Sequence, residues 1–236
     1  MELNLVKYCK TEHLVDAIEK GRIFIGTFDR YRQIENEALR DTEEGCATPA
    51  ILNEQGDMLI SENDNDTLLA YSSIKITNEW KINLPKGMPL LLDQPSFNTF
   101  IYCVSNDHQP SIEKAKRLGY DTFFKITDPV QFGRALMSSL SQQYNSQFGM
   151  KCYFGLVNYV PRKIQVVNRQ SKNRPIQSFS VKDFFTKHER FREDREFRYV
   201  IFEYSNSGHT EYNSFKVYGK LIENIEISKY LSRTTK

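Results

Sequence analysis

Apolar positions alternate every second residue in some segments of the chain and recur every third or fourth in others, and the switches mark its elements. "LNLVKYC" reads as a first strand. "TEHLVDAIEKGRI" follows as a helix, with Thr11 as its cap, Leu14, Ala17 and Ile18 on one face and Gly21 at its end. "RIFIGTF" returns as a second strand, and the polar loop "RQIENEALRDTEEG" hangs from it. Strands are predicted at "LLAYSSIKI", "NTFIYCVSND" and "DTFFKIT". Helices are predicted at "PSIEKAKRLGY", capped by Ser111, and at "DPVQFGRALMSSLSQQY", with Pro129 in its first turn. Beyond these, "KCYFGLVNYV" and "KIQVVN" read as strands paired around Pro161, "SVKDFFTKHERF" as a helix, and "KVYGKLIENIEIS" as the last strand or two.

One stretch breaks the pattern of buried apolar positions. From Glu196, "FREDREFRYVIFEY" alternates as a strand, with Glu196, Arg198, Val200, Phe202 and Tyr204 on one face and Phe197, Tyr199 and Ile201 on the other. Both faces turn apolar, which predicts an inner strand. An isolated buried charge is expensive, so Glu196 at its start must be solvated, paired or functional. Arg198 lies two positions on and can pair with it. The pattern allows a structural ion pair at the sheet rim, or a catalytic carboxylate held by an arginine at a cleft.

Composition adds the fold class. The chain has 236 residues, 39% hydrophobic, with 16 Phe and 13 Tyr, which favours sheet over a helical bundle. An α+β fold is expected: one domain over residues 1–236, with mixed or antiparallel central sheets and short flanking helices. The four cysteines, Cys9, Cys46, Cys103 and Cys152, form no close pair, and no histidine has a neighbour set out as a metal ligand. No metal site is therefore expected. No apolar run approaches the roughly 18 residues of a membrane helix, and a cytoplasmic location away from membranes is the expectation.

Net charge is only +2, but it is unevenly spread. Between Glu35 and Asp66, Arg40 is the lone basic residue among many carboxylates. Between Asp128 and Asp183 there is no acidic residue, while Arg162, Lys163, Arg169, Lys172 and Arg174 cluster there. Basic residues interleaved with Asn and Gln suit a phosphate backbone, and they equally suit a solvated face. Arg30, Tyr31, Arg32 and Arg40 follow the second strand, where loops carry binding groups. Their guanidinium forks match phosphate, or else balance the neighbouring glutamates.

"LVKYCKTEHLVDAIEKGRIFIGTFDRYRQIENEALRDTEEG" together with "FTKHERFREDREFRYVIF" resembles a bacterial family of domains found in phage-defence and toxin loci. Lys7, Tyr8, Arg22, the turn Arg40–Gly45, and Arg195, Glu196, Phe197 and Arg198 fill its places. The order of elements is similar to the ADP-ribosyltransferase fold, in outline to toxins of the DarT kind. What the resemblance implies is transfer of ADP-ribose from NAD, used as a substrate, to nucleic acid, with RNA favoured over DNA. Glu196, Arg198 and Arg40 would be catalytic, and Lys7, Tyr8, Arg30 and Tyr31 would hold NAD. RNA or single-stranded DNA would lie on Arg162, Lys163, Arg169, Lys172 and Arg174, and an antitoxin protein is the implied restraining partner. Two readings from other classes stay open: a non-catalytic nucleic-acid-binding module, and a nuclease with magnesium on Asp41, Glu44 and Glu196.

Overall fold

The computed structural model describes residues 3–33, 48–53, 58–65, 76–77, 81–91, 98–144, 149–160, 164–166, 181–204, 212–213 and 215–233. In chain order its strands are β1 (Leu5–Cys9), β2 (Arg22–Thr27), β3 (Thr48–Leu52), β4 (Met58–Ile60), β5 (Ile82–Leu84) and β6 (Pro89–Leu91). They continue with β7 (Phe100–Asn106), β8 (Thr122–Ile126), β9 (Met150–Leu156), β10 (Asn158–Val160) and β11 (Ile164–Val166). The last are β12 (Thr186–His188), β13 (Glu196–Tyr204), β14 (Tyr212–Asn213), β15 (Gly219–Glu223) and β16 (Leu231–Arg233). The α-helices are α1 (Thr11–Lys20), α2 (Phe28–Arg32), α3 (Ile112–Arg117), α4 (Pro129–Tyr144) and α5 (Ile225–Ser228).

Among the described residues, nine strands form one antiparallel sheet, so the protein is mixed α+β with a mainly antiparallel core. β13 is an inner strand, paired with β7 along Glu196–Ile201 and with β9 along Phe197–Glu203. Its alternation separates two apolar clusters. Phe197, Tyr199 and Ile201 pack with Phe132 and Leu136 of α4 and with Leu14 of α1. Val200 and Phe202 pack with Phe28 and Phe184 on the opposite face. Burying such a side chain contributes roughly 1.5–3 kcal/mol, so both faces hold this strand in place.

Two glycines matter for packing. Gly21 ends α1 at φ 60°, donating its N–H to Ala17 and Asp16 carbonyls, and an added Cβ would meet the Asn224 oxygen at 1.9 Å. Gly133 lets α4 lie close on the sheet, since a Cβ there would sit 3.1 Å from the Tyr199 ring.

The other side of β7 is shared. β1 pairs with Ser105 and Asn106, β2 pairs with Phe100 and Ile101, and the two strands part between those points. Among the described pairings, Tyr102, Cys103 and Val104 have β13 on one side and no strand on the other.

Some local expectations are corrected. Thr11 does not cap α1; the helix starts after Lys10, and the Thr11 hydroxyl donates to Asp121 at 3.0 Å. The segments around Pro161 do not pair with each other: β9 joins β13, β10 runs parallel to β12, and β11 runs parallel to β3. Residues 181–194 form two 3-10 turns flanking β12 rather than one helix. Of the strand expected over 68–76, only Ile76 is described, and the acidic loop over 34–47 lies outside the described residues.

Candidate functional site

Glu196 begins β13 directly after Arg195, which holds φ 46°, a left-handed conformation that closes the preceding turn and starts the strand. Glu196 is 7% exposed, and both its carboxylate oxygens are engaged. Oε1 accepts from Arg198 Nε at 2.6 Å, and Oε2 accepts from Lys187 Nζ at 2.9 Å. Arg198, 0% exposed, also donates from Nη1 to the Phe184 carbonyl at 2.7 Å. Lys187 reaches Asp194 Oδ2 at 3.2 Å and lies 4.4 Å from the Phe191 ring centroid.

The register explains how distant residues meet here. Parallel pairing of β10 with β12 sets Tyr159 opposite Lys187, and the Tyr159 hydroxyl accepts from the Glu196 N–H at 2.8 Å. Burial by itself would raise the Glu196 carboxyl. The Arg198 and Lys187 charges, with hydrogen bonds from Arg198 and Cys103, outweigh it and hold the group well below the usual carboxylate range. Asp194 goes the other way: burial raises it, with Lys187 opposing.

In front of this group lies a cleft of about 480 Å³ on the face of the sheet opposite α4. Its floor includes Lys7 and Tyr8 of β1, Cys103 and Ser105 of β7, and Glu196 of β13. Tyr31 of α2, Lys114 and Arg117 of α3, Tyr120, Lys187 and Asp194 form its walls. The volume falls in the range of small-molecule sites, roughly 300–1,000 Å³.

Tyr8 is held rather than free. Its hydroxyl donates to Asp107 Oδ2 at 2.5 Å, and Lys114 Nζ reaches the same oxygen at 2.5 Å. Burial, with the Asp107 hydrogen bond and charge, pushes the Tyr8 hydroxyl up. Lys7 differs from its neighbours in having a main-chain partner: Nζ donates to the Cys103 carbonyl at 2.8 Å, in the gap where β1 and β2 part.

Of the residues singled out in the sequence, Lys7, Tyr8, Tyr31 and Glu196 thus line one cleft. Arg198 stands behind Glu196, sealed in the core. Arg30 is exposed outside the cleft lining, with its guanidinium 4.6 Å from the Phe24 ring centroid. Arg40, Asp41, Glu44, Arg162, Lys163, Arg169, Lys172 and Arg174 lie outside the described residues. Of the acid-free interval, Arg134, Lys151 and Lys182 are described and exposed.

Sequence reasoning missed Lys187, Lys114 and Arg117. Lys187 sits between Phe184 and Phe191 in a segment with helical spacing, and only the fold turns it onto Glu196. Among the described residues, no group of three or more His, Cys, Asp or Glu could hold a metal ion, and no helix is long and apolar enough to cross a membrane. Comparison of the chain with protein-family models, with curated proteins and with solved structures finds no match.

Proposed function

We propose that the cleft binds NAD and that the protein is an ADP-ribosyltransferase of the toxin kind, acting on nucleic acid, with RNA favoured over DNA. One observation carries this reading: Lys7, Tyr8, Tyr31 and Glu196, contributed by three separate elements, line a single cleft whose wall also bears Lys114 and Arg117. Ammonium and guanidinium groups suit a pyrophosphate, and tyrosine rings suit the flat faces of adenine or nicotinamide.

In the reaction, the ribose–nicotinamide bond breaks and its electron pair leaves with the nicotinamide. Positive charge grows on the sugar carbon, and a hydroxyl or base nitrogen of the acceptor bonds to that carbon and loses its proton. A fixed carboxylate beside the carbon stabilises that charge. Glu196, kept ionised by its partners, fits this electrostatic role and is a poor proton acceptor. To face a sugar cation it must share its charge less with Lys187, which has Asp194 as a second partner. A phosphate in the cleft would draw Lys187 the same way.

A second reading has its own support. The closed arrangement of Lys187, Glu196 and Arg198 is also what a structural ion cluster looks like, and it favours a module that binds a nucleotide or nucleic acid without turnover. NAD labelled in its adenylate part, incubated with separate pools of RNA, single-stranded DNA and protein, separates the two. Transfer predicts label in the RNA pool, lost in Glu196→Gln. Label in no pool, with NAD intact, removes the transferase reading. If nucleic acid is the acceptor, its binding weakens steeply with salt.

A further inference from the structure

Transfer to a nucleic acid releases a proton from the acceptor, and Glu196, held ionised by two cations, does not give that proton a place to go. A second carboxylate borders the same cleft. Asp194 lies two residues before Glu196, at the end of the 3-10 turn Glu189–Asp194, and lines the wall in front of it. Its side chain is 44% exposed, against 8% for that of Glu196, so a bound acceptor can reach it. It is also held less firmly. Lys187 Nζ stands 3.2 Å from Asp194 Oδ2 and 2.9 Å from Glu196 Oε2, and Arg198 closes on Glu196 alone. Among the described residues, Asp194 Oδ1 accepts no hydrogen bond, which leaves a lone pair available. Because one ammonium touches both carboxylates, the two border the same small volume.

We propose, resting on the transferase reading, that Asp194 is the general base of the cleft and takes the proton from the acceptor while Glu196 faces the sugar cation. The ribose–nicotinamide bond breaks and its electron pair leaves with the nicotinamide. A lone pair of the acceptor oxygen or nitrogen forms the new bond to the sugar carbon, and the proton that this atom gives up bonds to an Asp194 oxygen. No oxidant, reductant or metal takes part. The charged and titratable groups around Asp194 are Lys187 on β12, Tyr159 on β10, and Glu196 and Arg198 on β13. Partial burial, helped by the Glu196 charge, raises the Asp194 carboxyl from 3.8 against the opposing pull of Lys187 and Arg198, whereas Glu196 is lowered from 4.5. Neighbouring carboxylates pushed in opposite directions can divide the work, one standing as a charge and the other exchanging the proton.

The test follows initial rates of transfer from labelled NAD to RNA by the full chain as a function of pH, in the unaltered protein and in Asp194→Asn. Only the ionised carboxylate accepts a proton, so the rate should fall as pH drops through the Asp194 pKa, and that limb should be missing in Asp194→Asn. At neutral pH the variant should lose about a hundredfold in kcat with KM for NAD little changed, as removal of a general base does. Sodium formate should restore part of the rate in Asp194→Ala by offering a small carboxylate in the vacated place, a rescue that a purely structural role would not give. Asp194→Glu keeps a carboxylate and should retain both the acid limb and part of the rate; it serves if the neutral variants fail to fold, and transfer by it without that limb overturns the proposal. An unchanged rate and pH profile in Asp194→Asn also overturns it and leaves the transferase reading standing. No transfer by the unaltered protein removes both.

Discussion

The two ends of the cleft floor handle positive charge in opposite ways. At the β13 end, Lys187 and Arg198 close on one carboxylate, and burial is compensated by three charges in direct contact. At the β1 end, among the described residues, Lys7 donates to a main-chain carbonyl, lies over an aromatic ring and has no carboxylate within salt-bridge distance. Among the described residues, the same type of ammonium is thus paired with carboxylates in one place and has none in contact in the other. The first arrangement favours a permanent ion and a fixed structure, the second a group whose protonation can change.

Breaking the locked end should have the largest effect. Arg198→Met leaves Glu196 with a single cation and the Phe184 carbonyl without its donor, and should cost about 3–5 kcal/mol in urea denaturation. A midpoint unchanged from the parent would show that the cluster does not stabilise the fold. Lys187→Met should cost less, about 1–3 kcal/mol, because Arg198 still holds Glu196. If Lys187→Met proved the more damaging of the two, the order of importance within the cluster would be reversed.

Acid should sharpen the same contrast. The folded pKa of Glu196 lies below its unfolded value of 4.5, so its contribution is complete above that pH and is lost as pH falls toward the lowered folded value. The unaltered protein should therefore lose stability more steeply than Glu196→Gln on acidification below about pH 4.5, where this carboxylate would otherwise titrate in the unfolded chain. Parallel curves for the two proteins, followed by thermal melts across that range, would contradict the pairing. The smallest effect is expected at the other end. Lys7→Met removes only the donor to the Cys103 carbonyl and should cost about 0.5–1.5 kcal/mol, the usual net worth of one hydrogen bond; a larger loss than in Lys187→Met would overturn the contrast.

The parts of the fold visible in the sequence were those governed by local periodicity. Alternation along β13 separates Phe197, Tyr199 and Ile201 from Val200 and Phe202 into two clusters, and Gly21 ends α1 where its left-handed conformation is needed. What escaped depends on contacts between distant segments. Val181, Phe184, Phe185 and Phe191 have helical spacing, but Thr186–His188 is drawn into parallel pairing with Asn158–Val160, and that pairing places Lys187 on Glu196. Likewise Ile164–Val166 finds Thr48–Leu52 across more than 100 residues of chain, which no local pattern announces. The site divides in the same way. Glu196 and Arg198 stand out in the sequence as charges on an apolar strand, whereas nothing in the local pattern around Lys114 and Arg117 tells that α3 borders the cleft.

Calorimetric titration of the purified chain with NAD tests the central claim most directly, because it asks whether this cleft is a nucleotide site before any turnover is required. The account predicts saturable binding of one NAD per chain, weakened at least about tenfold, or 1.4 kcal/mol, when Lys114 and Arg117 are both changed to glutamine. Absence of binding heat across temperatures, or binding that the double substitution leaves untouched, would contradict it.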